Sequence, residues 1–283
     1  MRKSELTREK QRLLWEEKML YTCNGHSAIL KTFVTYYVII PSFYQGDTLG
    51  VSLDTIYPKQ RRELPVLYLL HGGVADASCW LRYTNIEAIA EEKGIAVVMP
   101  YVGNSYYTDM VFGADYFTFV AEELPRMVCS TFPISREREL NFAGGLSMGG
   151  YGALKLVLNY PDRYSAAISL SGVVDIMDLL NCGRYEELLD LDSIYGKERE
   201  CVRGSINDLY YLAEKVVQEK QNVPDIYLAC GKSDYFSKTN CEYSEFLNEL
   251  SIAHVFDLEE GNHDWNFWNS HLEKGMNWLF GRK

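Results

Sequence analysis

The chain has 283 residues, 47% hydrophobic and 24% charged. These are ordinary globular values that exclude disorder for the bulk of the chain. Lys and Arg total 28 against 39 Asp and Glu, a formal net charge of -11. That balance repels nucleic-acid phosphates and offers no polybasic patch to an anionic membrane.

The seven cysteines are scattered, odd in number and without a C-x-x-C pair. This argues against a disulfide framework or a zinc site, and for reduced thiols in a cytoplasmic protein. No run of about 18 apolar residues exists to span a membrane, and the first twenty residues lack the apolar core of a signal peptide.

Residues 1–22 are charged, lack Pro and Gly, and place Leu6, Leu13 and Leu20 seven apart. This predicts an N-terminal helical extension over residues 1–26 that lies on the body. Thr32 to Ile40 reads as a strand ended by Pro41. Pro65 to Leu70 and Gly94 to Pro100 are continuous apolar runs, as expected of central strands covered on both faces. Glu87 to Lys93 and Ala114 to Cys129 read as helices. Leu140 to Gly145 is a further buried strand, and Met148 to Leu158 a helix stopping before Tyr160-Pro161. Ala166 to Ser171, Asp225 to Cys230 and Ala253 to Leu258 read as strands, and Phe246 to Leu250 and Trp265 to Leu279 as helical. The alternation implies an α/β fold, with a mostly parallel central sheet and helices on both faces. Residues 27–283 form a single domain. Its stretch 172–223 shows no clear strand and reads as a small helical insertion over the strand ends.

The sharpest motif is Gly145-x-Ser147-x-Gly149, between the strand at Asn141-Phe142-Ala143 and a helix-forming run. A serine on a sharp strand-to-helix turn needs side-chain-free neighbours two positions away, because strand and helix approach closely there. The hydroxyl then stands above the sheet, and the next amide, Met148 N–H, opens a helix where developing negative charge is stabilised.

Such a serine needs a base. His263, just beyond the strand at Ala253 to Leu258, is placed for that role. His254 and His271 lie inside a strand and a helix, and His26 precedes the first strand. Asp234, after the strand at Asp225 to Cys230, can orient the imidazole; Asp225 and Asp264 are weaker candidates. The order Ser147, Asp234, His263 is that of α/β-hydrolases. A second oxyanion amide is expected from His71-Gly72-Gly73-Val74, and Gly73 is assigned to it. His71 is expected to brace this loop. Gly72, Trp80, Tyr107 and Trp265 adjoin the site loops and are expected to shape the substrate pocket.

These residues resemble the esterase D family of α/β-hydrolases, with most likeness to the small bacterial tributyrin esterases. The resemblance covers about residues 27 to 280 and rests on Tyr68-Leu69-Leu70-His71-Gly72-Gly73, Trp80-Leu81, Val97-Val98-Met99-Pro100, Tyr106-Tyr107-Thr108-Asp109, Glu122-Glu123-Leu124-Pro125, Gly145 to Gly152, Gly231-Lys232-Ser233-Asp234 and His263-Asp264-Trp265. It implies a serine carboxylesterase acting on short acyl esters through a catalytic triad and an acyl-enzyme, without metal or organic cofactor. The family also holds S-formylglutathione hydrolases, feruloyl and acetyl-xylan esterases and mycolyl transferases. The alternatives are therefore a thioesterase, an esterase of acylated carbohydrate or an acyltransferase; a non-catalytic binding protein is the reading from outside enzymology. The expected partner is a small-molecule ester, with assembly into a homo-oligomer left open.

Overall fold

The computed structural model describes residues 17–42, 49–57, 63–183 and 188–282. Its strands are β1 (Glu17–Ser27), β2 (Thr32–Ser42), β3 (Val66–Leu70), β4 (Ala96–Pro100), β5 (Asn141–Leu146), β6 (Ala166–Leu170), β7 (Asp225–Gly231) and β8 (His254–Glu259). They form one sheet in the order β1-β2-β4-β3-β5-β6-β7-β8. β2 is antiparallel to both β1 and β4; every other pairing is parallel.

The helices of eight or more residues among the described residues are α1 (Ile86–Lys93), α2 (Leu124–Thr131), α3 (Met148–Asn159), α4 (Leu209–Gln218), α5 (Ser237–Glu249) and α6 (Trp265–Gly281). They divide between the two sheet faces, as strand alternation requires. Val66, Tyr68 and Leu70 of β3 enter the core shared with α2, α3, α4 and α5. Leu67 and Leu69 enter the opposite core, with α1 and α6. Because β3 to β8 run parallel, their C-terminal ends, and the loops that follow, lie at one edge of the sheet.

The expected N-terminal helix is corrected over its second half. Residues 17–27 are strand, paired along their whole length with β2. The hairpin decides this. Its partner strand supplies the backbone bonds a helix would otherwise make. Cys23, Gly25 and Ser27 turn inward while Thr22, Asn24 and His26 are exposed, a period of two. Leu20 sits on this strand, largely exposed, whereas Leu6 and Leu13 lie outside the described residues.

The helix expected over Ala114 to Cys129 contains a π turn, Phe119–Glu123, just before α2. Pro125 has no N–H to return to the Ala121 carbonyl, and Arg163 Nη1 donates to that oxygen instead at 2.9 Å. The stretch 172–223 holds no strand among its described residues. Its helices Ile176–Asn181, Leu191–Tyr195 and α4 are each N-capped by an aspartate, Asp175, Asp190 and Asp208, which satisfies the otherwise unpaired first-turn amides. No described helix is long and apolar enough to cross a membrane.

Candidate active site

Ser147 stands between β5 and α3 with φ 53° and ψ -118°, a strained conformation for a residue with a side chain. Its neighbours make that turn possible. A Cβ on Gly145 would lie 2.3 Å from the Gly149 carbonyl oxygen, and one on Gly149 would lie 2.2 Å from that of Leu70. The Ser147 N–H donates to Leu170 O of the adjoining strand at 2.9 Å. Strand, turn and helix are therefore locked together around the hydroxyl.

Two neighbouring loops bring the other groups. The turn after β7 is bonded to the turn after β8: Lys232 N donates to Glu259 O at 2.8 Å and Ser233 N to Gly261 O at 3.0 Å. This fixes Asp234 against His263. Asp234 Oδ2 accepts from His263 Nδ1 at 2.9 Å, and its Oδ1 accepts the Phe236 N–H at 2.9 Å. With the imidazole proton on Nδ1, Nε2 is free to accept the Ser147 hydroxyl, whose oxygen lies 3.0 Å away. The Asp234 carboxylate is fully shielded from solvent and the imidazole almost so. Tyr235 lies over the imidazole, with centroids 4.4 Å apart, and Trp268 meets it edge-on at 4.8 Å.

The hydroxyl opens into a cavity of about 570 Å³. Gly72, Gly73, Tyr106, Leu188 and Leu189 line it, together with Tyr83 and Trp265, a stacked pair 4.8 Å apart. A Cβ on Gly73 would meet nothing within 4 Å, so this backbone is open to an incoming ligand. Met148 opens α3, so its N–H has no acceptor within the helix. Asp76 and Arg82 add opposite charges to the lining. Hydrogen bonds from the Ser78 side chain and N–H hold the Asp76 carboxyl below its ordinary pKa. The cavity also touches Cys79. Burial, then the Asp76 charge, pushes its pKa up to about 12, so it stays a thiol and does not compete with the serine.

Ser147, Asp234, His263, Gly72, Gly73 and Trp265 are thus brought to one place, with Met148 directly after the serine. Two pocket expectations are corrected. Trp80 is fully buried behind the cavity, its Nε1–H donating to Leu70 O at 3.2 Å. Tyr107 is buried with its hydroxyl donating to His71 O at 2.9 Å. Tyr106, the preceding residue, faces the cavity instead; both have positive φ, 50° and 48°, so the loop turns sharply there and sends the two rings different ways. The candidates set aside have other partners. His254 Nε2 lies 2.8 Å from Ser244 Oγ, Asp225 pairs with Arg282, and Asp264 caps α6.

Sequence reasoning missed Asp76, Arg82, Tyr83, Tyr106, Leu188, Leu189 and Tyr235 as cavity residues. Tyr235 and Tyr106 each had a signal, their places beside Asp234 and Tyr107. Outside the cavity lining, on β8 and α6, Asp257, Glu259 and His271 have metal-ligand spacing, but Lys274 Nζ already sits 2.6 Å from Glu259 Oε2.

A serine on a strand-to-helix turn of this sheet, facing a histidine and a carboxylate from later loops, points to one class of protein. That class is the serine hydrolases of the α/β-hydrolase fold. A family model described as "Putative esterase" matches residues 47–279, and the chain belongs to that family. An acetyl esterase of Caldicellulosiruptor saccharolyticus is 32% identical over 262 residues, covering 90% of this chain and 96% of that protein. Two Staphylococcus aureus structures superpose closely. The fluorophosphonate-binding serine hydrolase FphF, substrate bound, has TM-score 0.84 and 29% identity, covering 94% of this chain and 99% of its own. The S-formylglutathione hydrolase FrmB has TM-score 0.80 and 30% identity, covering 93% and 99%. The chain is accordingly an ester-hydrolysing serine hydrolase.

Proposed function

We propose that the chain is a carboxylesterase of short-chain acyl esters, with Ser147 as nucleophile, His263 as general base and acid, and Asp234 orienting the imidazole. Ser147 Oγ attacks the ester carbonyl carbon as its proton passes to His263 Nε2. The N–H groups of Met148 and Gly73 receive the oxyanion. His263 then gives that proton to the leaving alcohol oxygen as the C–O bond breaks, leaving an acyl-Ser147. Water repeats the sequence in reverse and releases the acid.

The observation that carries this reading is the unbroken line from the Ser147 hydroxyl through both imidazole nitrogens to the buried Asp234 carboxylate. The likeness to an acetyl esterase favours a small acyl group, and an acylated carbohydrate is within its range. A second reading, thioester hydrolysis, is favoured by the likeness to FrmB. Seven free cysteines support work in the cytoplasm.

The test is a panel of p-nitrophenyl esters from acetyl to octanoyl, methyl ferulate, acetylated xylo-oligosaccharide and S-formylglutathione, run with wild type and Ser147→Ala. Hydrolysis that favours the shortest acyl groups and vanishes in the variant, with its melting curve unchanged, is expected. Turnover retained by pure Ser147→Ala would overturn the mechanism. Preference for S-formylglutathione would select the second reading.

A further inference from the structure

We propose that His71 is a positioning residue: its side chain fixes the plane of the Gly72–Gly73 peptide and thereby aims the Gly73 N–H at the reacting oxygen. The proposal rests on the esterase reading above. His71 is fully buried and does not line the cavity, so it acts only through the loop that it opens.

Its two ring nitrogens have unlike partners. The Val102 N–H points at Nε2 from 3.2 Å. A backbone N–H can only donate, so Nε2 carries the lone pair and the ring proton is on Nδ1. That Nδ1–H donates to Gly72 O at 2.8 Å. The Gly72–Gly73 peptide is trans, and in a planar trans peptide the C=O and N–H point in opposite directions. Holding the Gly72 oxygen on the imidazole therefore turns the Gly73 N–H away from it. The serine is close to this peptide: a Cβ on Gly72 would sit 3.6 Å from Ser147 Cβ, and Gly73 lines the cavity together with Ser147.

The clamp is itself held. Tyr107 Oη donates to the His71 carbonyl at 2.9 Å, and Lys155 of α3 holds the Tyr107 carbonyl at 2.7 Å. Tyr101 stacks on the imidazole, with centroids 5.7 Å apart and planes 18° apart. Burial lowers the His71 pKa, against smaller opposing effects of the Gly72 hydrogen bond and then the Asp76 charge, which favours the neutral ring this arrangement needs.

Two amide substitutions separate aiming from bracing. In His71→Asn, the side-chain nitrogen can stand where Nδ1 stands and donate to Gly72 O. In His71→Gln, the amide reaches only the Nε2 position and can satisfy Val102. With p-nitrophenyl acetate, His71→Gln is expected to lose about 10²-fold in kcat, the effect of one oxyanion donor, with KM little changed. Phenylboronic acid, which forms a tetrahedral adduct with an active serine, should bind that variant weaker by a similar factor. His71→Asn should recover kcat to within about tenfold of wild type.

Rescue by Gln equal to or better than by Asn would overturn the proposal, since bracing Val102 would then suffice. A loss confined to KM would overturn it as well. Should His71→Gln fail to fold, Tyr107→Phe frees only the His71 carbonyl. An unchanged kcat in that variant would count against the clamp, and about a tenfold loss at constant KM for it. Failure of the esterase reading would show separately, as turnover that survives Ser147→Ala.

Discussion

Gly149 offers a sharp test of how the site is held. It lies in the first turn of α3, and a Cβ there would fall 2.2 Å from Leu70 O, 2.6 Å from Leu70 C and 2.7 Å from His71 O. All three atoms are backbone, so no side chain can move aside. Restoring even 3.0 Å requires α3 and the end of β3 to part by about 0.8 Å. The proposed oxyanion amides are Met148 N–H, in the first turn of α3, and Gly73 N–H, in the loop that follows β3. A misplacement of this order costs about 10²-fold in rate, and the overpacking costs about 1–3 kcal/mol. Gly149→Ala should therefore lower kcat/KM on p-nitrophenyl acetate by about two orders of magnitude and the melting temperature by several degrees. Gly73→Ala is the stability control: its Cβ would meet nothing within 4 Å, so its melting temperature should equal that of wild type. Wild-type kcat/KM and melting in Gly149→Ala would refute the close approach as the reason for this glycine.

Asp234→Asn should reduce kcat by about 10⁴-fold, because an amide no longer selects the Nδ1–H tautomer; stopped assays with p-nitrophenyl acetate would show it, and a loss under tenfold would point to another orienting group. Lys155→Met should cost about 3 kcal/mol in urea denaturation, since Tyr107 O, Thr108 Oγ1 and Asn207 Oδ1 would all lose their donor; a cost below about 1 kcal/mol would contradict that accounting. Trp265→Ala should raise KM with a smaller effect on kcat, because its ring faces the cavity. Trp80→Phe should leave KM unchanged, because its ring faces the core, and a KM that rises in both would return Trp80 to the pocket.

Legibility in the sequence followed the range of the interaction. β3, β5 and β7 were readable because strands covered on both faces are continuous apolar runs, and the serine turn because its glycines are forced by backbone approach. The histidine and aspartate could be placed because a parallel sheet delivers successive loops to one edge. β1 was misread because its charged, proline-free flank favours a helix locally, while the antiparallel partner that overrides it begins only at Thr32. Trp80 and Tyr107 were misjudged for a related reason. Their positions next to the site loops were right, but which way a ring turns depends on backbone angles, such as the positive φ of Tyr106 and Tyr107, that aromatic residues do not advertise. Leu188 and Leu189 reach the cavity from a stretch with no motif at all.

Lys155 shows what the second layer contributes. It lies eight residues after Ser147 on the same helix, about 12 Å along it, and burial pushes its pKa well below the ordinary lysine range while Asp109 opposes that shift. An amine so placed is costly unless all its donors are used, and its acceptors come from both the Tyr107–Thr108 turn and Asn207 of the 172–223 stretch. Tyr151, also on α3, adds a bond to Asn207 O at 2.7 Å. The helix that Ser147 opens therefore holds the Tyr107–Thr108 turn, next to the cavity residue Tyr106, and Asn207 of the 172–223 stretch together. Leu188, on the same stretch, is largely exposed and makes none of these bonds, so its exchange should alter the shape offered to an acyl or leaving group without moving the serine. On the proposed mechanism, the Ser147 hydroxyl is then held at the head of α3 by bonds that do not involve Leu188, a largely exposed residue of the cavity lining.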